Sequence, residues 1–376
     1  MDAVAQGIVV GKACRTAIVL TATILLDTQE VRAQPRWLVD AKPILDIAGL
    51  SPTGDVVFTL ATGATRLPNG TIVVADGLEP AVRFFDATGK LTRTVGRKGD
   101  GPGEFQVIQW LGRCGGDSVF VKDFWRPRIT VISADGAVVR EFLSAENGWT
   151  CCSPRGALAV LGPLNPRSPA PGAKSERQRA RLSLLNARGE VTHAFGELPF
   201  ADWAAAPNGD FLPRPLGRVT SFAMSSDRLY VGTADSAFVD AHSLDGKRRE
   251  TLSLRTSPRA PSRANAERFA DWFVRYQPGP LGGRMRQLLL EFPLPDRLPP
   301  YYALFTDPSD ALWVQLSFPG DPDTRLRVLS PDGRVLADVS VPRDLTIFEI
   351  GPDYILGGYS DASDEPHVAL FRLHRG

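Results

Sequence analysis

The sequence predicts an all-β fold of repeated four-stranded units, and three observations carry that prediction. A tight turn with glycine at a fixed place recurs five times, at Gly89, Gly136, Gly189, Gly246 and Gly333. Each follows a β-rich run, at residues 82–85, 129–132, 182–185, 238–241 and 326–329, as expected of hairpins whose turns require positive φ. A second turn lies about twenty residues ahead of each, and another strand-like run follows it. The five glycines are 47, 53, 57 and 87 residues apart. A unit of about 45 residues with insertions explains these intervals, and that period marks a propeller blade of four strands.

Taken in chain order, Lys12 and Arg15 precede an apolar run at 16–26 that is too short for a bilayer span of about 20 residues. Val31-Arg32-Ala33 suits signal cleavage after Ala33. Residues 1–33 therefore read as an export signal, with residues 34–376 as the mature domain in the periplasm or outside the cell. Nothing else is long and apolar enough to span a membrane. Residues 36–47 are strand-like but belong to no unit. The second kind of turn occurs six times against five of the first, because the last unit, ending at 367–373, lacks its outermost strand. The N-terminal segment can supply it and close a ring of six blades. Long segments fall at 97–107, 163–179, 197–219, 255–300, 317–324 and 359–366, in two loop classes that project from one face. In 255–300, Phe269, Trp272, Phe273 and Tyr276 lie at helical spacing, as do Met285, Leu288, Leu289 and Phe292, with a break at Gly279-Pro280. This predicts two amphipathic helices inserted between blades four and five.

The run from Gly70 to Asp76, then Arg83-Phe84-Phe85-Asp86, then Val95 to Phe105 resembles an NHL-type repeat. The second unit matches in part, with Asp123 and Arg128 in the places of Asp76 and Arg83. As a whole the chain resembles the exported six-bladed β-propeller proteins of bacteria. The resemblance implies the fold and leaves function open, because propellers host binding and several chemistries.

Charge excludes one class of partner. Lys and Arg total 43 against 42 Asp and Glu, a formal net charge of +1, without the basic excess of a nucleic-acid-binding protein. The mature chain keeps Cys114, Cys151 and Cys152. An odd number in an oxidising compartment implies one disulfide and one free thiol, and the repeat places Cys114 within reach of Cys151 or Cys152. Gly99, Gly101 and Gly103 lead into Phe105 and a strand, so they read as an inter-blade crossover with Phe105 as a packing plug. A phosphate loop would lead into a helix. The four histidines have no ligand spacing. The Arg-rich stretch 166–181 reads as a solvated, Pro-stiffened loop, with an anion-binding patch as the alternative.

Asp76 and Asp123 end the second strands of their units and are candidate metal ligands for Ca²⁺ at the channel mouth. The competing role is to cap the following loop, with Arg83 and Arg128 as partners. No other cofactor is expected. The function expected is that of an exported, monomeric binding module whose loop-rich face holds a peptide, glycan or partner protein. Trp125, Arg126, Trp203, Phe318 and Tyr359 suit such a recognition surface. The alternative is a secreted cation-dependent hydrolase or lyase at the channel mouth, resting on Asp76 and Asp123.

Overall fold

Runs of Val, Ile, Leu, Phe and Thr between glycine turns fold as antiparallel strands and assemble into six sheets in the computed structural model. It describes residues 37–49, 57–164, 175–206, 211–257, 259–275 and 280–376. The export-signal reading of residues 1–33 lies outside these. The five repeated glycines have φ between +82° and +87°, a conformation that costs a side-chain-bearing residue free energy and costs glycine little.

Sheet 1 comprises Ala61–Arg66, Ile72–Asp76, Ala81–Phe85 and Leu91–Val95, and sheet 2 comprises Ile108–Arg113, Val119–Asp123, Arg128–Ile132 and Val138–Leu143. Sheet 3 has five strands: Trp149–Cys152, Leu158–Pro163, Ser175–Leu185, Val191–Ala205 and Phe211–Pro213. Sheet 4 holds Ser221–Met224, Arg228–Gly232, Phe238–Ser243 and Arg248–Ser253. Sheet 5 holds Ala303–Thr306, Leu312–Gln315, Thr324–Leu329 and Val335–Val341. Sheet 6 is Thr346–Ile350, Tyr354–Ser360 and Pro366–His374, completed from the N-terminus.

That completion follows the sequence expectation. Leu38 and Val39 pair with His374 and Leu373, and Leu45–Ala48 pairs along Leu370 to His367. Trp37 adds a ring contact with Trp313 of sheet 5, with centroids 5.6 Å apart. The first strands of sheets 1 to 6 neighbour one another in a closed cycle, sheet 6 meeting sheet 1. Apolar residues of adjacent sheets interlock, as Val73 and Ala75 do with Ile108 and Val121. The core therefore lies between sheets, and the arrangement is propeller-like: all-β with small antiparallel sheets. The outer strand Leu91–Val95 is exposed while the second and third strands of its sheet are buried.

Two helices, α1 (Arg263–Val274) and α2 (Pro280–Glu291), lie in the chain between sheets 4 and 5. Ser262 caps α1: its Oγ accepts from the Asn265 N–H, and the Asn265 side chain accepts from the Ser262 N–H at 3.0 Å. Pro280 opens α2, where its missing N–H costs nothing. Ala266 of α1 packs with Leu216, Leu298 and Phe318, and Phe292, just after α2, packs with Ala204 of sheet 3 and the adjoining Ala206. Among the described residues, no helix is long and apolar enough to cross a membrane.

One sequence expectation needs correcting. The stretch 166–181 is not loop throughout, because Ser175 to Arg181 opens the eleven-residue third strand of sheet 3; residues 165–174 are outside the described set. Gln178, Ala180 and Leu182 are buried while Arg179 and Arg181 are exposed, the period-2 pattern of a strand. Each arginine finds an acid: Arg177 with Asp202 at 3.3 Å, Arg179 with Glu197 at 3.1 Å and Arg181 with Glu146 at 3.8 Å.

Candidate functional site

The long hairpin of sheet 3 rises beside the loops of sheet 2, and a cleft of about 370 Å³ opens between them. Its walls are aromatic. Phe124 and Trp125 come from the loop after the second strand of sheet 2, edge to face at 4.9 Å. Trp149 and Phe200 face each other across sheet 3 at 4.6 Å. Trp203 completes the group. Trp125 stands 68% exposed at the rim and Phe124 42% exposed. Among the described residues, every one that lines it is uncharged.

Local structure explains the wall positions. The pairing of the hairpin slips between Arg177–Asp202 and Arg179–Pro199, so Gln178 opposes the extra residues Phe200 and Ala201. Such a bulge re-aims side chains, here Gln178 and Phe200 into the cleft. The crossover from sheet 2 to sheet 3 forms the base. A Cβ on Gly148 would collide with the Leu161 carbonyl, so glycine is needed for this close approach. The Lys122 ammonium, fully buried, donates to the Gly148 carbonyl at 2.6 Å and to Thr150 Oγ1 at 3.2 Å. Burial pulls its pKa down to about 8, against the attraction of Glu146.

Three polar atoms in the cleft are buried without a hydrogen-bond partner among the described residues: Gln109 Oε1, Gln178 Nε2 and Trp203 Nε1. Gln178 is only 7% exposed. Buried polar groups are satisfied in the great majority of cases, and each exception asks for an explanation.

The cleft brings together two of the five sequence-predicted recognition residues, Trp125 and Trp203. Arg126 turns aside to Asp100 at 2.6 Å. Phe318 is 3% exposed beneath α1, its ring tilted against Tyr302 with centroids 5.9 Å apart, because the helix covers its loop. Tyr359 is 7% exposed, lies in a strand, stacks on His367 at 4.7 Å and donates its hydroxyl to Asp46. Burial, with the Asp46 carboxylate beside it, pushes that phenol well above its ordinary range. Both aromatics are structural positions in this fold. Phe124, Trp149, Phe200, Gln109 and Gln178 were not singled out in the sequence.

The two candidate metal ligands serve their loops. Asp76 accepts from the N–H groups of Thr59, Leu60, Leu78 and Glu79, from the Thr59 hydroxyl and from Arg83 at 3.0 Å. Asp123 accepts from the Gln106 N–H at 2.6 Å and the Trp125 N–H at 3.0 Å, and so holds the rim of the cleft. Arg128 does not pair with Asp123. It donates instead to the Gly101 and Glu104 carbonyls and approaches Glu141. The glycine-rich crossover is likewise self-contained: the Gly101 and Gly103 N–H groups donate to Glu104 and Glu141, and Phe105 is buried in the core.

A second cavity, about 500 Å³, is lined by the first strands of all six sheets, including Thr65, Arg113, Thr150, Met224, Phe305 and Glu349. Its carboxylates are engaged by protein donors. Glu349 accepts from Thr65, Arg66 and Tyr354, Asp307 from Trp313, Ser309 and Arg375, and Asp310 from Ser226. Elsewhere, ligating atoms of Asp361, Glu365 and His367 lie within 4.8 Å of one another. Cys114 is bonded to Cys152, with Cα atoms 5.3 Å apart, and Cys151 is the free thiol. It is partly buried and lines the central cavity, and desolvation there pushes its pKa up, toward the protonated thiol.

No family model matches the chain, and no curated protein sequence is similar to it. Solved structures share its fold. A member of the DUF4221 family from Bacteroides vulgatus superimposes with a TM-score of 0.51 at 12% identity, covering 92% of this chain and all of that one. A Bacteroides fragilis protein described as exported gives 0.47 at 10% identity, over 88% and 94%. Virginiamycin B lyase from Staphylococcus aureus gives 0.41 at 13% identity, over 84% and 95%. At 12% identity the first of these shows a likeness of fold alone.

Proposed function

We propose that this chain is an exported six-bladed β-propeller, with NHL-type repeats in its first units, that binds an uncharged ligand in the aromatic cleft between sheets 2 and 3. The observation that carries this reading is the coincidence of five aromatic walls with three buried, unpartnered polar atoms. Mostly apolar concavities with a few convergent polar groups are what ligand sites are made of. The hydrolase or lyase reading has less support, because the carboxylates on which it rests are taken up by protein donors.

The test is a thermal-shift screen of neutral sugars, uncharged peptides and small apolar molecules. The wild type and a Trp125→Ala/Trp149→Ala double variant are run side by side. At least one class of compound should raise the melting temperature of the wild type and not of the variant. Equal responses from both proteins throughout would overturn the assignment of the cleft.

A further inference from the structure

Resting on that reading, we infer that the cleft takes a neutral carbohydrate. Its chemistry sorts the candidate ligands. With no charged side chain among the described residues of its lining, the cleft offers an ionic ligand little to offset lost hydration. A purely apolar ligand would fit the rings but leave Gln109 Oε1, Gln178 Nε2 and Trp203 Nε1 unsatisfied. The unmet groups are two side-chain amides and an indole, not the backbone row that an added peptide strand takes up. What they ask for is one donor and two acceptors, set among aromatic faces. A hydroxyl is donor and acceptor at once, so a ring of hydroxyls can meet all three.

A pyranose has that form. Its faces are patches of C–H that lie flat against aromatic rings, and its rim carries hydroxyls. Phe200, which is 7% exposed, and Trp203 supply inner faces, Trp149 adds a ring as exposed as Phe124, and the unmet atoms belong to residues of the same lining. Phe124 and Trp125 stand exposed at the mouth, where they offer a platform for the next unit of a chain. The volume, about 370 Å³, is near the lower end of small-molecule sites and suits one ring with part of its neighbour. The ligand assigned is therefore a neutral oligosaccharide, one ring seated inside and the next resting on Trp125.

The experiment is a tryptophan-fluorescence titration, confirmed by calorimetry, of the purified exported protein. The probes are cellotetraose, maltotetraose, xylotetraose, mannotetraose and chitotetraose. Uncharged tetrapeptides and the neutral apolar dye N-phenyl-1-naphthylamine are run alongside. At least one tetraose should bind, and more tightly than its monosaccharide. Trp203→Phe keeps a ring and removes the N–H, and it should weaken that binding about tenfold, the loss of one hydrogen bond. Gln178→Leu should do the same. Trp125→Ala should abolish the gain from monosaccharide to tetraose.

Peptide or dye binding that the Trp125→Ala/Trp149→Ala variant loses, with no tetraose binding, overturns the carbohydrate assignment and leaves the binding reading standing. No binding of any probe overturns both. A tetraose that binds Trp203→Phe and Gln178→Leu as tightly as the wild type overturns the inference too, because the unmet atoms would then have no part in recognition.

Discussion

The helical segment between sheets 4 and 5 and the long hairpin of sheet 3 treat aromatic side chains in opposite ways. Between sheets 4 and 5 the chain folds as α1 and α2 and lies down on what it finds. Phe318 disappears beneath α1 with Leu216, Ala266 and Leu298 around it. In sheet 3 the chain extends a hairpin, whose strands pair with each other and so need no covering partner. Its rings are left facing the loops of sheet 2 across an open gap. A helix exposes an apolar stripe that must be buried, whereas a paired hairpin has satisfied its backbone and can stand proud. The helical segment thus adds packing, and the hairpin adds a cavity.

The contrast breaks most visibly at Phe318. If it is core, Phe318→Ala should cost about 3–5 kcal/mol, read as a large fall in the urea midpoint with little change in slope. A loss below about 1 kcal/mol would mean that α1 does not seal the site. Next comes the disulfide that joins the two sheets flanking the cleft, at the far ends of the strands that carry Gln109 and Trp149. Cys114 and Cys152 tie the end of the first strand of sheet 2 to sheet 3, 38 residues on. Replacing both with serine should destabilise by about 3–4 kcal/mol through the freed unfolded chain. It should also weaken ligand binding in the cleft, whose two walls belong to those sheets. Thiol titration of the native mature chain, residues 34–376, should find Cys151 alone. Three reactive thiols in the unfolded, unreduced mature chain, residues 34–376, would contradict the bridge.

The same contrast shows what could be read from residues alone. The sheets were legible because each hairpin needs a glycine at one place, and those glycines recur at a readable interval. The closing N-terminal strand was legible by subtraction, since one unit lacked its outer strand. The choice between Cys151 and Cys152 was not, because adjacent residues of a strand point to opposite faces and the register decides. The aromatics divide on the same ground. Trp125 and Phe318 look alike in sequence, each in a loop on the same face. Only the path of α1 separates them. Gln178 was hidden by composition: arginines and prolines around it suggested loop, although the alternation from Arg177 to Leu182 is the signal that would have shown a strand.

Lys122 sharpens the comparison by being the polar counterpart of Phe318. It is as buried, but it holds the base of the open cleft through the Gly148 carbonyl. Its ammonium pKa is about 8 in the fold, below the usual 10.4 of an unfolded lysine. Between those values the unfolded chain binds the proton and the folded chain has released it, so stability from this group rises with pH across the window. Below about pH 8 both forms are charged, and burial of the charge is a penalty of at most about 3 kcal/mol. The unfolding free energy of the wild type relative to Lys122→Met should therefore climb between pH 8 and pH 10.5 and be flat from pH 6 to 7.5. A difference that is constant across pH 8–10.5 would show that the amine keeps its proton in the fold.

The smallest effect on stability belongs to Trp125, and its smallness is the point. A ring 68% exposed, held in place through its backbone by Asp123 and touching Phe124 edge on, contributes little to the fold. Trp125→Ala should change the unfolding free energy by no more than about 0.5 kcal/mol, several-fold less than Phe318→Ala. Removal of so large a side chain without loss of the fold would leave ligand capture as its remaining use. A destabilisation comparable to that of Phe318→Ala would instead make Trp125 a packing residue. The two segments would then differ in shape and not in purpose.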